Sequence, residues 1–182
     1  MKTRKLGLSL LALLVVGTLV GCSTSTKSPD VSDSIRKSLD QAGLKDVTVS
    51  QDRDKGVVTL GGHVAAEADK AHAESLAKSI AAEQVVANQI AVTPPGVESD
   101  AKTVNSDLDT GIEKNLDAAL VTNRLHKSVK FDVKNGVVTL TGEVNSKNQR
   151  ALAEKVASSV PNVQQVVNEL EVKPGKHSTP SS

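Results

Sequence analysis

The sequence predicts an α+β protein made of two tandem small domains of order α-β-β-α-β, each a three-stranded sheet with two helices on one face. Three observations carry this. Gly56-Val57-Val58-Thr59-Leu60 recurs as Gly136-Val137-Val138-Thr139-Leu140, an offset of 80 residues, and a fixed internal period marks a repeated structural unit. Within each copy, stretches of apolar residues at helix spacing alternate with stretches at strand spacing. The segments outside the repeats carry neither period.

The repeat is extensive. The offset of 80 pairs Gly62 with Gly142, Val64 with Val144, Ala71 with Ala151, Val86 with Val166, Asn88 with Asn168, Ile90 with Leu170, and Pro94 with Pro174. Upstream, an offset of 77 pairs Ile35 with Ile112 and Leu39 with Leu116. This places three extra residues in the second copy ahead of its Gly-Val-Val-Thr-Leu strand. The boundaries that follow are residues 31–94 and 107–173 for the two domains, joined by a linker at 95–106.

Each element has a local reason. Val31, Ile35 and Leu39, and Leu108, Ile112, Leu116 and Leu120, recur every four residues, the stripe of an amphipathic helix. Val47-Thr48-Val49 and Val129 to Val133 alternate as strands. Polar turns follow, and Asn135-Gly136 between two β-rich runs is a hairpin signal. The hairpin returns through Val57 to Leu60, and through Val137 to Thr141. A second helix spans about 65–81 and 146–159. Ser146 with Gln149 three residues on fits a capping box, which Ala66 and Asp69 do not reproduce. A last strand alternates at Val86, Ile90 and Val92, and at Val166, Leu170 and Val172. Units of about 65 residues are marginal alone, so the two are expected to pack together or to be steadied by a membrane. Residues 95–106 are rich in Pro, Gly, Ser and Asp without periodicity, and 174–182 read as a disordered tail.

The chain opens with Lys2, Arg4 and Lys5 ahead of Leu6 to Val20, an uncharged and mostly apolar run of 15 residues. This is the pattern of a secretory signal, short for a spanning helix of roughly 20 residues. Leu19-Val20-Gly21-Cys22 resembles the lipobox of bacterial lipoproteins at all four positions. That resemblance implies cleavage of residues 1–21, a diacylglycerol on the Cys22 thiol, and an acyl chain such as palmitate on the new amine. The competing reading is an ordinary signal with a chance cysteine. Cys22 is the only cysteine, so no internal disulfide is available, and lipidation accounts for an otherwise free thiol. More than one acyl chain gives stable anchoring. Ser23 at the next position implies the outer membrane, facing the periplasm, by the sorting rule of enteric bacteria. Residues 22–30 then form a tether.

Composition narrows the function. Without residues 1–21 the balance is 19 basic against 21 acidic residues, or −2, which does not fit a nucleic-acid partner. Trp and Tyr are absent and Phe131 is the single Phe, so base-stacking surfaces and aromatic cages are excluded; Phe131 is expected in the core. The four histidines, His63, His72, His126 and His177, form no i,i+4 pair, and no metal or other cofactor is expected. No phosphate-loop glycine pattern and no Gly-x-Ser-x-Gly elbow occurs. The expectation is a protein that is not an enzyme.

The α-β-β-α-β order resembles the BON (bacterial OsmY and nodulation) domain, as do Gly-Val-Val-x-Leu-x-Gly-x-Val at Gly136 to Val144 and Val-x-x-Val-x-Asn-x-Leu-x-Val at Val163 to Val172. The first copy departs at His63 and Glu83. Paired BON domains behind a lipobox are similar to dual-BON lipoproteins of Gram-negative envelopes. This implies binding of anionic phospholipid through the first helix of the second copy, and a role in envelope integrity or stress resistance. On that helix and the loop after it, Lys114, Arg124, Lys127 and Lys130 are the candidate lipid-binding residues, with Leu120, Val121 and Leu125 available for shallow insertion. The alternative is an adaptor that docks onto an envelope protein, for example through an exposed edge strand at Val163 to Val172.

Overall fold

The structure, a computed structural model, describes residues 27–173. Cys22, the signal segment and the tail lie outside the described residues. The first unit runs α1 (Ser32–Gln41), β1 (Val47–Asp52), β2 (Val57–Val64), α2 (Glu67–Ala81), β3 (Val85–Asn88) and β4 (Ala91–Val92). The second runs α3 (Glu98–Thr122), β5 (Val129–Lys134), β6 (Val137–Val144), α4 (Lys147–Ser158), β7 (Gln165–Asn168) and β8 (Glu171–Val172). The class is α+β, with four helices and two mixed sheets among the described residues. In each unit the hairpin is antiparallel and the returning segment lies parallel to its second strand.

Each sheet has four strands where three were expected, because the last strand is broken in two. An asparagine makes the break. Asn88 Oδ1 accepts from the Ile90 N–H at 3.4 Å, and its Nδ2 donates to Lys70 O and Glu74 Oε2. Asn168 repeats every contact, on Leu170 N–H, Arg150 O and Glu154 Oε2. The side chain thus substitutes for ladder bonds, jogs the strand, and drops Ile90 and Leu170 into the cores.

The linker expected at 95–106 is instead mostly helix, since α3 begins at Glu98. Pro94, Pro95 and Gly96 confine the break to a few residues, after which nothing interrupts a helix before Gly111. Glu98 and Asp100 in the first turn complement the helix dipole, and Glu98 accepts the Gly96 N–H at 2.8 Å.

The upstream offset of 77 is also corrected. Both first helices end in the same motif: Leu44 N–H reaches Leu39 O and Leu125 N–H reaches Leu120 O, with Gly43 and Arg124 at positive φ. These residues lie 81 apart, one helical turn from the expected register. Apolar residues four apart occupy one face, so the stripe cannot distinguish the two. The hairpins differ as well: Arg53-Asp54-Lys55-Gly56 turns the first, and the two-residue Asn135-Gly136 turns the second. Asn135 and Gly136 both have positive φ (49° and 76°), as a type I′ turn requires. The Ser146 cap forms as expected, accepting the Gln149 N–H at 3.2 Å.

Each unit has its own core between helices and sheet, around Ile35, Leu39, Val58 and Leu60, and around Leu116, Leu120, Val138 and Leu140. Phe131 packs half-buried against the second. The units meet on the opposite sheet faces, where Val57 and Ala87 touch Val137 and Val167. Polar contacts ring this cluster. Gln165 Nε2 donates to Val86 O at 2.7 Å and its Oε1 accepts the Asn88 N–H at 3.0 Å. Lys55 pairs with Glu169 at 3.1 Å, and Asn135 Nδ2 donates to Gln89 O at 2.8 Å. Lys55 and Asn135 are repeat equivalents, as are Glu169 and Gln89, so the joint is pseudo-twofold. The turn of each unit touches the strand break of the other, and the two sheets therefore run in opposite directions.

Candidate functional site

The candidate surface starts from how α3 stops. Its last turn closes with Leu125 N–H on Leu120 O and Arg124 N–H on Val121 O, the Schellman pattern. The residue that must turn left-handed there is Arg124, φ 58°; its equivalent in the first unit is Gly43. A left-handed conformation costs a non-glycine residue about 1 kcal/mol or more. The second unit accepts that cost and gains an exposed guanidinium at its helix end.

Lys114, Arg124, Lys127 and Lys130 are all exposed. The structure brings only some of them together. Arg124 and Lys127 share the α3–β5 turn. Lys114 lies ten residues before Arg124, about 15 Å back along the helix, on the outer face opposite Ile112, Leu116 and Leu120. Lys130 sits on β5, where Val129 and Val133 point to the core and Lys130 alternates outward. It therefore projects from the other face of the sheet, away from α3. None of the four forms an ion pair among the described residues.

The apolar residues divide differently from the expectation. Leu120 and Leu125 are buried in the core and are not available for insertion. Val121 is 50% exposed and lies on the same outer face as Lys114. Leu152 of α4, 40% exposed, adds an apolar side chain that helix spacing alone did not single out. It borders a groove of about 610 Å³ between α3 and α4, walled by Ala119, Val156, Val160 and Pro161 with Lys155 at the rim. At the same end of the unit, Glu143 is paired with Lys173, whose ammonium it holds above the usual lysine range by a hydrogen bond.

The edge strand considered for a protein partner is occupied in part: β7 lies against β3, with Gln165 seated on the β3 backbone. A cleft of about 670 Å³ lies between the units, lined by His63, Thr93, Lys102, Asp109 and Lys134 among others. Among the described residues no three His, Cys, Asp or Glu side chains gather as for a metal ion. No helix among them is long and apolar enough to cross a membrane.

Comparison with known proteins gives one family. The BON domain matches twice, at residues 28–94 and 108–174. The chain is 31% identical over 137 residues to the osmotically-inducible protein Y of Escherichia coli K12, covering 74% of this chain and 67% of that one. Among solved structures, CdsD of Chlamydia trachomatis, a structural protein of the type III secretion system, aligns at 14% identity over 81% of this chain and 94% of that one, with a TM-score of 0.37. Its C-terminal domain aligns at a TM-score of 0.33 and 14% identity, over 78% of this chain and 67% of that one. At such scores neither likeness bears on fold or function.

Proposed function

Because the chain belongs to the BON-domain family, with two copies covering most of its length, we propose that it is a non-enzymatic, membrane-anchored binding module of the bacterial envelope. Its second unit binds anionic phospholipid, and it supports the envelope under osmotic or related stress. Kinship with an osmotically-inducible protein favours the stress role. The lipobox-like Leu19 to Cys22 favours anchoring through Cys22, at the periplasmic face of the outer membrane.

The observation that carries the lipid reading is Arg124. An arginine held left-handed at a helix end, where the other copy keeps glycine, fits a position whose side chain is used rather than one shaped by folding alone. Lys127 beside it, with Val121 on the last turn of α3, completes a basic helix end with one exposed apolar residue, and Lys114, about 15 Å back along the helix, adds attraction at longer range. Each basic residue near an anionic surface contributes on the order of 1 kcal/mol.

Co-sedimentation of residues 23–182 with phosphatidylglycerol vesicles tests this. Binding should weaken with salt, and Lys114→Glu, Arg124→Glu and Lys127→Glu together should reduce it by about a hundredfold. Binding that ignores salt and all three reversals would refute the reading. Lys130→Glu should change little, since its side chain leaves the other face of the sheet. Cys22→Ala should detach the protein from membranes in cells. The adaptor reading predicts instead one dominant protein adduct on cross-linking.

A further inference from the structure

Two features of the fold fix which way the basic end of the second unit points. The first is where the chain enters. Residues ahead of α1 are stitched to the β1–β2 turn: Ser28 N–H reaches Arg53 O, Arg53 Nε reaches Ser28 O, Gln51 Nε2 reaches Pro29 O, and Lys27 pairs with Asp54. Residues 27–29, ahead of the Val31 boundary expected from the repeat, thus pack on the first unit at the turn end of its sheet. Lys27 is five steps along the chain from Cys22, at most about 18 Å.

The second is the antiparallel joint. Moving along the first unit from its turn toward Val92, the contacts on the second unit pass from Glu169 to Gln165 to Asn135. The turn end of the first unit therefore lies on the same side as the opposite end of the second, where β8 finishes. That end carries the α3–β5 turn, because Val129 opens β5 opposite Gly142 near the close of β6. Helix α3, 25 residues long and so about 37 Å, runs from the far side, beyond Val92, to this near side. Its length is what the antiparallel joint demands.

We propose that both units face the bilayer through one composite end, formed by Lys27 and Arg53 to Lys55 of the first unit and Val121 to Lys127 of the second. The anchored protein then binds the membrane that holds its own lipid, not a facing one. The inference rests on the lipid-anchored reading above. Magnitudes support it. β2 spans eight residues, about 26 Å, so an inverted first unit would hold Lys27 about that far from the surface, beyond the reach of the 18 Å tether.

The test uses Cys22 as the sole thiol. Residues 22–182 are coupled through it to a maleimide lipid in phosphatidylcholine vesicles, with and without phosphatidylglycerol, and amide hydrogen exchange is followed. Phosphatidylglycerol should slow exchange several-fold at both 53–56 and 122–128. Protein anchored on neutral vesicles should not cluster added anionic ones. Slowing at 122–128 with 53–56 unchanged, or clustering of the added vesicles, would overturn the proposal. Unanchored residues 23–182 separate the two readings. If they co-sediment with anionic vesicles while clustering occurs, only the orientation fails; if they do not co-sediment, the lipid reading fails and this one with it.

Discussion

Gln165→Ala tests the joint between the units without touching either core. The Gln165 amide works on β3 as a strand would, donating to Val86 O at 2.7 Å and accepting the Asn88 N–H at 3.0 Å. The neighbouring amide, Gln89 N–H, bonds inward to Leu60 O, so the Asn88 N–H points to the joint and has Gln165 as its partner. Truncation removes two hydrogen bonds, each worth about 1 kcal/mol net. The joint should lose about 2 kcal/mol, or about thirtyfold in its opening equilibrium. Native-state hydrogen exchange by NMR reads this directly. The Asn88 amide should exchange about thirtyfold faster, while Gln89 stays as protected as before. An unchanged Asn88 amide would refute the bridging role. Equal acceleration at Gln89 would show that the first unit itself had loosened, and would refute the separation of joint from core.

Other outcomes follow from single positions. Gly142→Ala places a Cβ inside contact distance of Ser128 O at φ 116°, a strain of about 2 kcal/mol; calorimetry should show the second unit melting about 10 °C lower. Gly111→Ala, inside α3 with open space around it, should instead stabilise by about 1 kcal/mol. Leu120→Ala empties a fully buried site and should cost about 2–5 kcal/mol in denaturant unfolding. At Glu74, partial burial raises the carboxyl pKa, but hydrogen bonds from Asn88 and Lys78 outweigh it and the net shift is downward. A depressed carboxylate stabilises the fold above its unfolded pKa, near 4.5, and loses that contribution as pH falls through the folded value. In a carbon NMR titration, Asn88→Ala should move the Glu74 midpoint upward.

The repeat, the hairpins and the Ser146 cap were legible because each rests on local chemistry: a glycine turn, an alternating strand, a hydroxyl beside a free amide. Three features were not. The stripe on α3 reads equally well one turn away, so the offset of 77 read for the first helices conceals the correspondence of Arg124 to Gly43. The N-terminal half of α3 carries Ser, Thr, Asp and Asn, which favour loops in isolation; support comes from distant groups, as when Asp109 accepts the Asn135 and Gly136 amides at 2.7 and 2.9 Å. The break at Asn88 depends on Lys70 and Glu74, 18 and 14 residues away. Of the candidate site, exposure of all four basic residues was anticipated. Their expected gathering near one exposed end fails for Lys114, about 15 Å back along the helix, and for Lys130, which strand alternation turns to the other face of the sheet.

The pseudo-twofold joint has a consequence for how this pair of units can vary. In a symmetric homodimer every substitution at the contact is made twice, so a bond suited to one side is imposed on the other. Two units on one polypeptide escape that rule. Here one half of the joint holds the Lys55–Glu169 ion pair and the other the neutral Asn135–Gln89 bond, and Gln165 grips a backbone edge while its counterpart Val85 lies open to solvent. The contact has the form of a dimer joined within a single chain, and its two halves use different bonds. Away from the joint the two copies differ in the same way, with Arg124 at the helix end of the second and Gly43 at that of the first.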